Sequence, residues 1–357
     1  MEGKGESSYS SCTSAMTLNE LGLSRLPQHY VLPPSEQPKP GPTISDTIPI
    51  VDISSLQNPA LRSHAVDEIR RACKEIGSFQ VLHCDKPRNG IPLSIMKDVL
   101  DAATEFFNLP IEEKMLLVSD NVHEPVRYGT SVNHTRDKVH YWRDFIKHYS
   151  HPIAKWIHLW PSMPPSYKEK TGNYAKAVQL LQKQLLEVIL ETLGLNINYL
   201  QEDIEEGLQV MAVNCHPAYP EPDLALGMPP HSDYGSLTIV LQSGPGLQLI
   251  DHNKNWLSVP PIEGALIVQL GDQIEVMSNG QHKSIAHRGT LRKEKKRLSI
   301  ASLHSLDFNT KIRPAPELPN EQQPVSYKEF SFNDFLDFIS SNDIAGGRFI
   351  DTLKINP

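Results

Sequence analysis

LQVMAVN (208–214), SLTIVLQ (236–242), GLQLI (246–250), ALIVQLG (265–271), IEVMS (274–278) and RLSIASLH (297–304) follow one another in the second half of the chain. Each run is short and rich in Val, Ile and Leu, and Gly, Pro, Asn, Asp or Ser residues lie between them. A series of short apolar runs broken by turn residues predicts an all-β sandwich or barrel. Before this block the periodicity is helical. Val66, Ile69, Cys73 and Ile76 share one helix face ahead of Gly77, and Ser94 is placed to cap a helix carrying Ile95, Val99, Ala103 and Phe106. A longer helix is expected from Asn173 to Leu193 and a short one from Asn198 to Glu206. IPIVDI (48–53) and SFQVLH (78–83) read as strands, and Phe332, Phe335, Leu336 and Ile339 place a helix near the C-terminus. The expected class is mainly β with flanking α, a jelly roll buttressed by helices.

The expected organisation has four parts. Residues 1–46 form an extended, partly flexible segment, proline-rich from Pro27 to Pro49. Residues 47–206 form an α/β region, 207–310 the β core, and 311–357 a C-terminal helix and tail. With 39% apolar and 21% charged residues, the 357-residue chain is too apolar for disorder. A net charge of −8 gives no general attraction to nucleic acid or an anionic membrane, and no apolar run reaches the ~18 residues of a membrane span. A monomer working on a small molecule is expected. Cys12, Cys73, Cys84 and Cys215 are widely separated, a pattern of structural thiols in a reducing compartment. The serine-rich opening from Ser7 to Ser14 resembles a transit peptide in part, but Glu2, Glu6 and Glu20 and the lack of arginine before Arg25 oppose that. Cytoplasm is the expected location.

Among the 15 histidines, His231 has an acidic residue two positions on, in His231-Ser232-Asp233. Alone, such a pair is as well explained by a surface turn. Its position just before SLTIVLQ matters more, because side chains two apart on extended chain share a face and reach one ion. Two histidines and one carboxylate occupy one face of an octahedral iron and leave three positions open. His287 is the expected third donor. His282 competes, but a strand from Lys283 to His287 would leave it on a solvated turn. His252 and His304 lack an acidic neighbour and read as structural.

Arg297 and Ser299 fall on one face of RLSIASLH, continued by Ala301 and Leu303. The basic run Arg292–Arg297 by itself reads as a solvated turn. An arginine directed into a barrel instead requires an anion, and its planar fork matches a carboxylate. HxD, a later histidine and then RxS form an ordered set that accident rarely assembles inside a β barrel.

With these blocks in place the chain resembles the plant 2-oxoglutarate- and iron(II)-dependent dioxygenases, the group that includes anthocyanidin synthase, flavanone oxidases and gibberellin oxidases. The resemblance runs from LPQHYVLPPSEQP and IPIVDISSL through FFNLPIEEK, MPPHSDYGSLTIVLQ and VQLGDQIEVMSNGQHKSIAHR to the C-terminal helix. It implies a double-stranded β-helix, with iron held by His231, Asp233 and His287. It also implies that Arg297 and Ser299 grip the distal carboxylate of 2-oxoglutarate, with Asn214 beside it. Oxygen would be the oxidant and ascorbate the reductant, and succinate and carbon dioxide would be released as the substrate is hydroxylated, desaturated or demethylated.

Two positions depart from the pattern. His216 replaces a tyrosine common two residues after Asn214, where it either hydrogen-bonds the cosubstrate or crowds the metal. His83-Cys84-Asp85 replaces an Asn-His-Gly. Leu303, Tyr128 and Phe145 are the candidate substrate contacts, and Trp142 is expected in the core. An iron oxidase of the same fold that uses no 2-oxoglutarate, and a catalytically silent binding protein, are the alternatives to the dioxygenase reading.

Overall fold

The computed structural model describes residues 14–22, 25, 27–39, 48–82, 90–133, 136–196, 200, 205–219, 221–251 and 253–355. Twelve strands are formed among them. They are β1 (Ile50–Asp52), β2 (Ser78–Leu82), β3 (Val126–Gly129), β4 (Asp144–His151), β5 (Leu208–His216) and β6 (Met228–His231). They continue as β7 (Leu237–Gln242), β8 (Leu247–Ile250), β9 (Trp256–Val259), β10 (Leu266–Leu270), β11 (His287–Gly289) and β12 (Arg297–Ser305). An eight-stranded sheet runs β1-β2-β10-β7-β12-β5-β4-β3, and a four-stranded sheet runs β6-β11-β8-β9. From β5 onward the chain passes repeatedly from one sheet to the other, as a double-stranded β-helix requires.

Strand alternation divides the work of the large sheet. Leu298 and Ile300 of β12, Met211 and Val213 of β5, and Ile239 of β7 pack outward against Ile69, Phe106, Leu185 and Ile189 of the helices. The inward residues of the same strands, among them Arg297, Ser299, Ala301, Leu303 and Asn214, line a cavity between the sheets. Past the cavity, Val240 and Ile267 meet Leu247, Leu249 and Val259 and close the sandwich. Burying both faces of these strands gives them their nearly unbroken apolar runs.

Several expectations shift. The long helix spans Tyr167–Thr192, so it begins a turn and a half before Asn173. The helix over Leu93–Phe107 follows Pro92 rather than a cap at Ser94, because proline fixes the entry and removes an N–H that needs no partner there. IEVMS is not a strand. Residues Asp272–Met277 form a fully buried helix, since the chain must turn sharply after β10 to return to the small sheet. The expected Lys283–His287 strand is displaced, since residues 283–286 are irregular and β11 begins only at His287; most of the Asn198–Glu206 helix and all of the His83–Asp85 stretch lie outside the described residues.

The N-terminal segment is docked where it is described. Ala15–Glu20 is a helix, and Tyr30 is buried in contact with Trp142. The anchor is Asp144, which has no exposed surface. Its carboxylate accepts hydrogen bonds from Ser14 Oγ at 2.5 Å, the Ala15 N–H at 2.8 Å and the Tyr128 hydroxyl at 2.9 Å. Burial pushes the Asp144 carboxyl upward, and these donors oppose that shift. Hydrogen bonds to a charged group contribute about 1.5–3 kcal/mol. Ser14→Ala is accordingly expected to lower the unfolding free energy by about that amount in urea titrations. A loss under about 0.5 kcal/mol would show that the N-terminal helix is not held by Asp144.

Candidate metal centre

His231 ends β6 and His287 begins β11, and the antiparallel ladder sets these two residues directly opposite each other. Asp233 lies two residues past His231, on the bend that leads to β7. The Nε2 of His231 stands 3.8 Å from Asp233 Oδ1, and the Nε2 of His287 stands 3.8 Å from Asp233 Oδ2. One donor atom from each residue falls within 4.8 Å of the others, the one such His/Cys/Asp/Glu cluster among the described residues.

The donors are prepared for a cation. The Nδ1 of His231 lies 2.8 Å from the carbonyl of Pro229, and that of His287 lies 3.3 Å from the carbonyl of Ile285. Those carbonyls hold the proton on Nδ1 and leave each Nε2 lone pair directed at the cluster. Burial, then the neighbouring His287, push the His231 imidazolium down to about 4, so it is neutral at physiological pH. Asp233 Oδ2 is buried without a hydrogen-bond partner. Two imidazoles and a carboxylate with an unsatisfied oxygen suit a divalent first-row metal.

His282 is not solvated, contrary to expectation. It is buried, and its Nε2 lies 2.8 Å from Thr192 Oγ1 at the end of the long helix. That role is packing, away from the donors. His304 is structural as expected, hydrogen-bonded to Ser302 and Gln179. His252 lies outside the described residues.

The short helix that the sequence disguised as a strand holds the Asp233 bend. The N–H groups of Gly271, Asp272 and Gln273 donate to the carbonyls of Ser236, Asp233 and Gly235 at 2.9, 2.8 and 3.0 Å. From the other side, the Ser236 N–H donates to His304 of β12 at 2.7 Å. The approach is close enough that a Cβ at Gly271 would sit 2.1 Å from the Gly235 carbonyl oxygen.

The cavity beside the donors has a volume of about 250 Å³. Register organises its wall into rows across β4, β5, β12 and β7. Phe145, Asn214, Ser299 and Gln242 form one row, and Lys147, Ala212, Ala301 and Val240 the next. Arg297 lies opposite His216 at the end of this series. It is buried, and its guanidinium donates to the Gly244 carbonyl, to Gln242 Oε1 and, at 3.4 Å, to Ser299 Oγ. No described carboxylate lies within the 4.0 Å of an ion pair. Burial, then Arg292, push Arg297 down to about 10, so it keeps its charge. A buried guanidinium whose described partners are all neutral marks a place for an anion.

His216 shares this end of the cavity but is not one of the clustered donors. Its Nδ1 is buried and unpartnered. Burial, then Arg297 and Arg143, hold it well below the usual imidazole range, so it is neutral. Asn214 lines the cavity and accepts from Arg143 Nη1 at 2.6 Å.

Of the three substrate candidates, Leu303 and Phe145 line the cavity and Tyr128 does not. Tyr128 pairs with Ile146, on the face opposite Phe145, so its ring packs on Phe106 and its hydroxyl serves Asp144. Trp142 is core, 5.0 Å from the Tyr219 ring. Sequence reasoning missed Arg143, Lys147 and Tyr149, although they alternate with Phe145 on the same face. It also missed Tyr234, which stacks on Phe332 at 4.4 Å and Phe335 at 4.5 Å and joins the C-terminal helix (Phe332–Ser341) to the cavity.

Comparison with known proteins bears on this geometry. Residues 207–305 match the 2OG-Fe(II) oxygenase superfamily, and residues 48–163 match the N-terminal region described as non-haem dioxygenase in morphine synthesis. The chain is 43% identical to rice 2-oxoglutarate-dependent dioxygenase 21, chloroplastic, over 92% of its own length and 96% of that protein's. It is 40% identical to rice flavanone 3-dioxygenase 3, over 92% and 98% of the two chains. Among solved structures, JOX2 in complex with 2OG, Fe and JA superposes with a TM-score of 0.84 at 29% identity, covering 97% of this chain and 98% of that one.

Because Gly271 leaves no room for a side chain against the Asp233 bend, Gly271→Ala is expected to displace Asp233. Overpacking of this kind costs about 1–3 kcal/mol of stability. Cobalt(II) titrations by calorimetry should show weakened binding, and an unchanged affinity would mean that the bend does not depend on this contact.

Proposed function

Since this chain belongs to the 2OG-Fe(II) oxygenase superfamily, we propose that His231, Asp233 and His287 hold its iron. We propose further that Arg297 and Ser299 hold the distal carboxylate of 2-oxoglutarate. The observation that supports this most is the coincidence of the His-Asp-His cluster with a buried, charged Arg297 lacking a described carboxylate partner on the wall of one cavity. The enzyme is an oxidoreductase, a dioxygenase that acts on a small organic molecule of plant hormone or specialised metabolism. When bound, iron(II), 2-oxoglutarate and oxygen supply the oxidising power, with succinate and carbon dioxide as products.

The side chains have distinct tasks. The three donors would hold the metal at the cavity wall, next to where cosubstrate and substrate would bind. Arg297 supplies a planar pair of N–H groups to a carboxylate, and Ser299 Oγ adds one more donor on the same strand face. Asn214, fixed by Arg143, and His216, whose Nδ1 awaits a partner, are placed to complete the cosubstrate's hydrogen bonds. Leu303 and Phe145 then give the substrate an apolar, water-poor surface. Whether hydroxylation, desaturation or demethylation results follows from which substrate carbon that surface presents to the metal.

Among the described residues no helix is long and apolar enough to cross a membrane. We place the enzyme in the cytoplasm, as a monomer without nucleic-acid or membrane partners. The net charge of −8 supports the absence of nucleic-acid and anionic-membrane partners.

Alanine at His231, Asp233 or His287 is expected to abolish turnover and most iron binding, measured by metal analysis, whereas His282→Ala keeps iron. Retained iron in the His287 variant with loss in the His282 variant would remove His287 from the ligand set.

Losing a buried charge-assisted contact costs about 2–5 kcal/mol, so Arg297→Ala should lose 2-oxoglutarate binding at ordinary concentrations and Arg297→Lys should weaken it markedly. Ser299→Ala should cost about 1.5–3 kcal/mol. Lys296 is exposed and bonded to Asn108, and its alanine variant should change little. Equal, small effects at Arg297 and Lys296 in cosubstrate titrations would overturn the anchor.

A further inference from the structure

Lys147 is a further cation on the cavity wall, away from the cosubstrate anchor. Lys147 of β4 lies in the row whose next two members are Ala212 and Ala301. Those alanines leave open space beside its stem. The Lys147 ammonium donates to the Val122 carbonyl at 2.8 Å and sits 5.0 Å from the centre of the Tyr149 ring. An ammonium has three donors, so two remain. In the row beyond, the Tyr149 hydroxyl is buried without a partner. No described carboxylate lies within 4.0 Å of Lys147. The described carboxylates on the cavity wall are Asp233, which faces His231 and His287, and Asp343, which caps the turn at Ala345.

We propose that Lys147 is a specificity-determining residue that binds a carboxylate on the substrate, with the Tyr149 hydroxyl as a second donor. The substrate is then an apolar ring or chain bearing one carboxylic acid. The proposal deepens the reading of the site as a 2-oxoglutarate and iron(II) centre and rests on it.

The cosubstrate cannot satisfy both cations. Arg297 and the Lys147 row are separated by four residues along β12, roughly 13 Å. A chain of five carbons held at Arg297 and directed at the donor cluster does not also reach that row. Burial, then the nearby charge of Arg127, bring the free Lys147 ammonium down to about 7, against a smaller opposing effect of Glu124, which makes no ion pair with it. A bound carboxylate would restore the full charge. The surrounding surface is apolar, with Val210, Leu303 and Phe332 among its members, so it offers the rest of the molecule burial rather than hydrogen bonds.

The test uses iron(II)-loaded protein under argon with saturating 2-oxoglutarate, so that the Arg297 site is filled. Benzoate, phenylacetate, cinnamate and cyclohexaneacetate are titrated by calorimetry, each against its own carboxamide. A charge-assisted hydrogen bond implies that at least one acid binds about tenfold tighter than its amide. Lys147→Met should bring that preference to about threefold or less, and Lys147→Arg should keep most of it. Unchanged melting temperatures establish that the variants are folded. The proposal is overturned if no acid is preferred over its amide in the unaltered protein, or if Lys147→Met retains the preference. If the unaltered protein binds 2-oxoglutarate but prefers no acid, only this proposal falls. If it does not bind 2-oxoglutarate, the reading of the site falls with it.

Discussion

The antiparallel pairing of Met228–His231 with His287–Gly289 is the constraint on which the site depends. It joins two segments more than fifty residues apart and sets His231 against His287 with no adjustable loop between them. Backbone carbonyls at Pro229 and Ile285, each two residues before its histidine, then fix which nitrogen carries the proton. Asp233 needs separate support because it lies past the end of β6. The tight contact of the Asp272–Met277 helix with residues 233–236 provides it. The His-Asp-His cluster is thus positioned by main-chain hydrogen bonds, with side chains contributing the donor atoms.

The large sheet shows how one alternation serves two purposes. Its outward residues are apolar and lock the strands against the helices. Its inward residues place charge in a setting where charge is costly. Arg297, Arg143 and Lys147 all point to the cavity, and burial is the largest influence lowering each of them. Apart from Asp233, the only described carboxylate on that wall is Asp343, engaged at the turn beside Ala345. A wall richer in cations than in anions is complementary to ligands that bring negative charge, and it selects against molecules that cannot.

The two ends of the chain complete the enclosure by different forces. The N-terminal helix is held by hydrogen bonds to one buried carboxylate, Asp144. The C-terminal helix is held by aromatic stacking of Phe332 and Phe335 on Tyr234, the residue next to Asp233. The C-terminal helix thus contacts the residue next to one of the clustered donors, whereas the N-terminal helix reaches the cavity wall from its outer face, through Asp144 of β4 and Cys215 of β5.

Much of this was legible in the sequence because it depends on local rules. Period-two alternation places Arg297, Ser299, Ala301 and Leu303 on one face wherever β12 sits, and the HxD spacing marks two of the donors, although Asp233 is held in place by the Asp272–Met277 helix. Helical spacing likewise gave the existence of the long helices, though not their first turns, since proline entry at Pro92 and an early start at Tyr167 are set by packing. What tertiary structure alone decided are the non-local matters. A short apolar run such as IEVMS carries no periodicity long enough to separate a strand from a buried helix, and the turn after β10 made it a helix. Whether His282 or His287 faces the donors depended on register with a strand fifty residues away. Tyr128 and Phe145 are both aromatic, yet pairing with Ile146 sends Tyr128 to the core while Phe145 stays on the cavity wall. Composition and spacing name the chemical groups, but only the pairing of distant strands decides which of them meet.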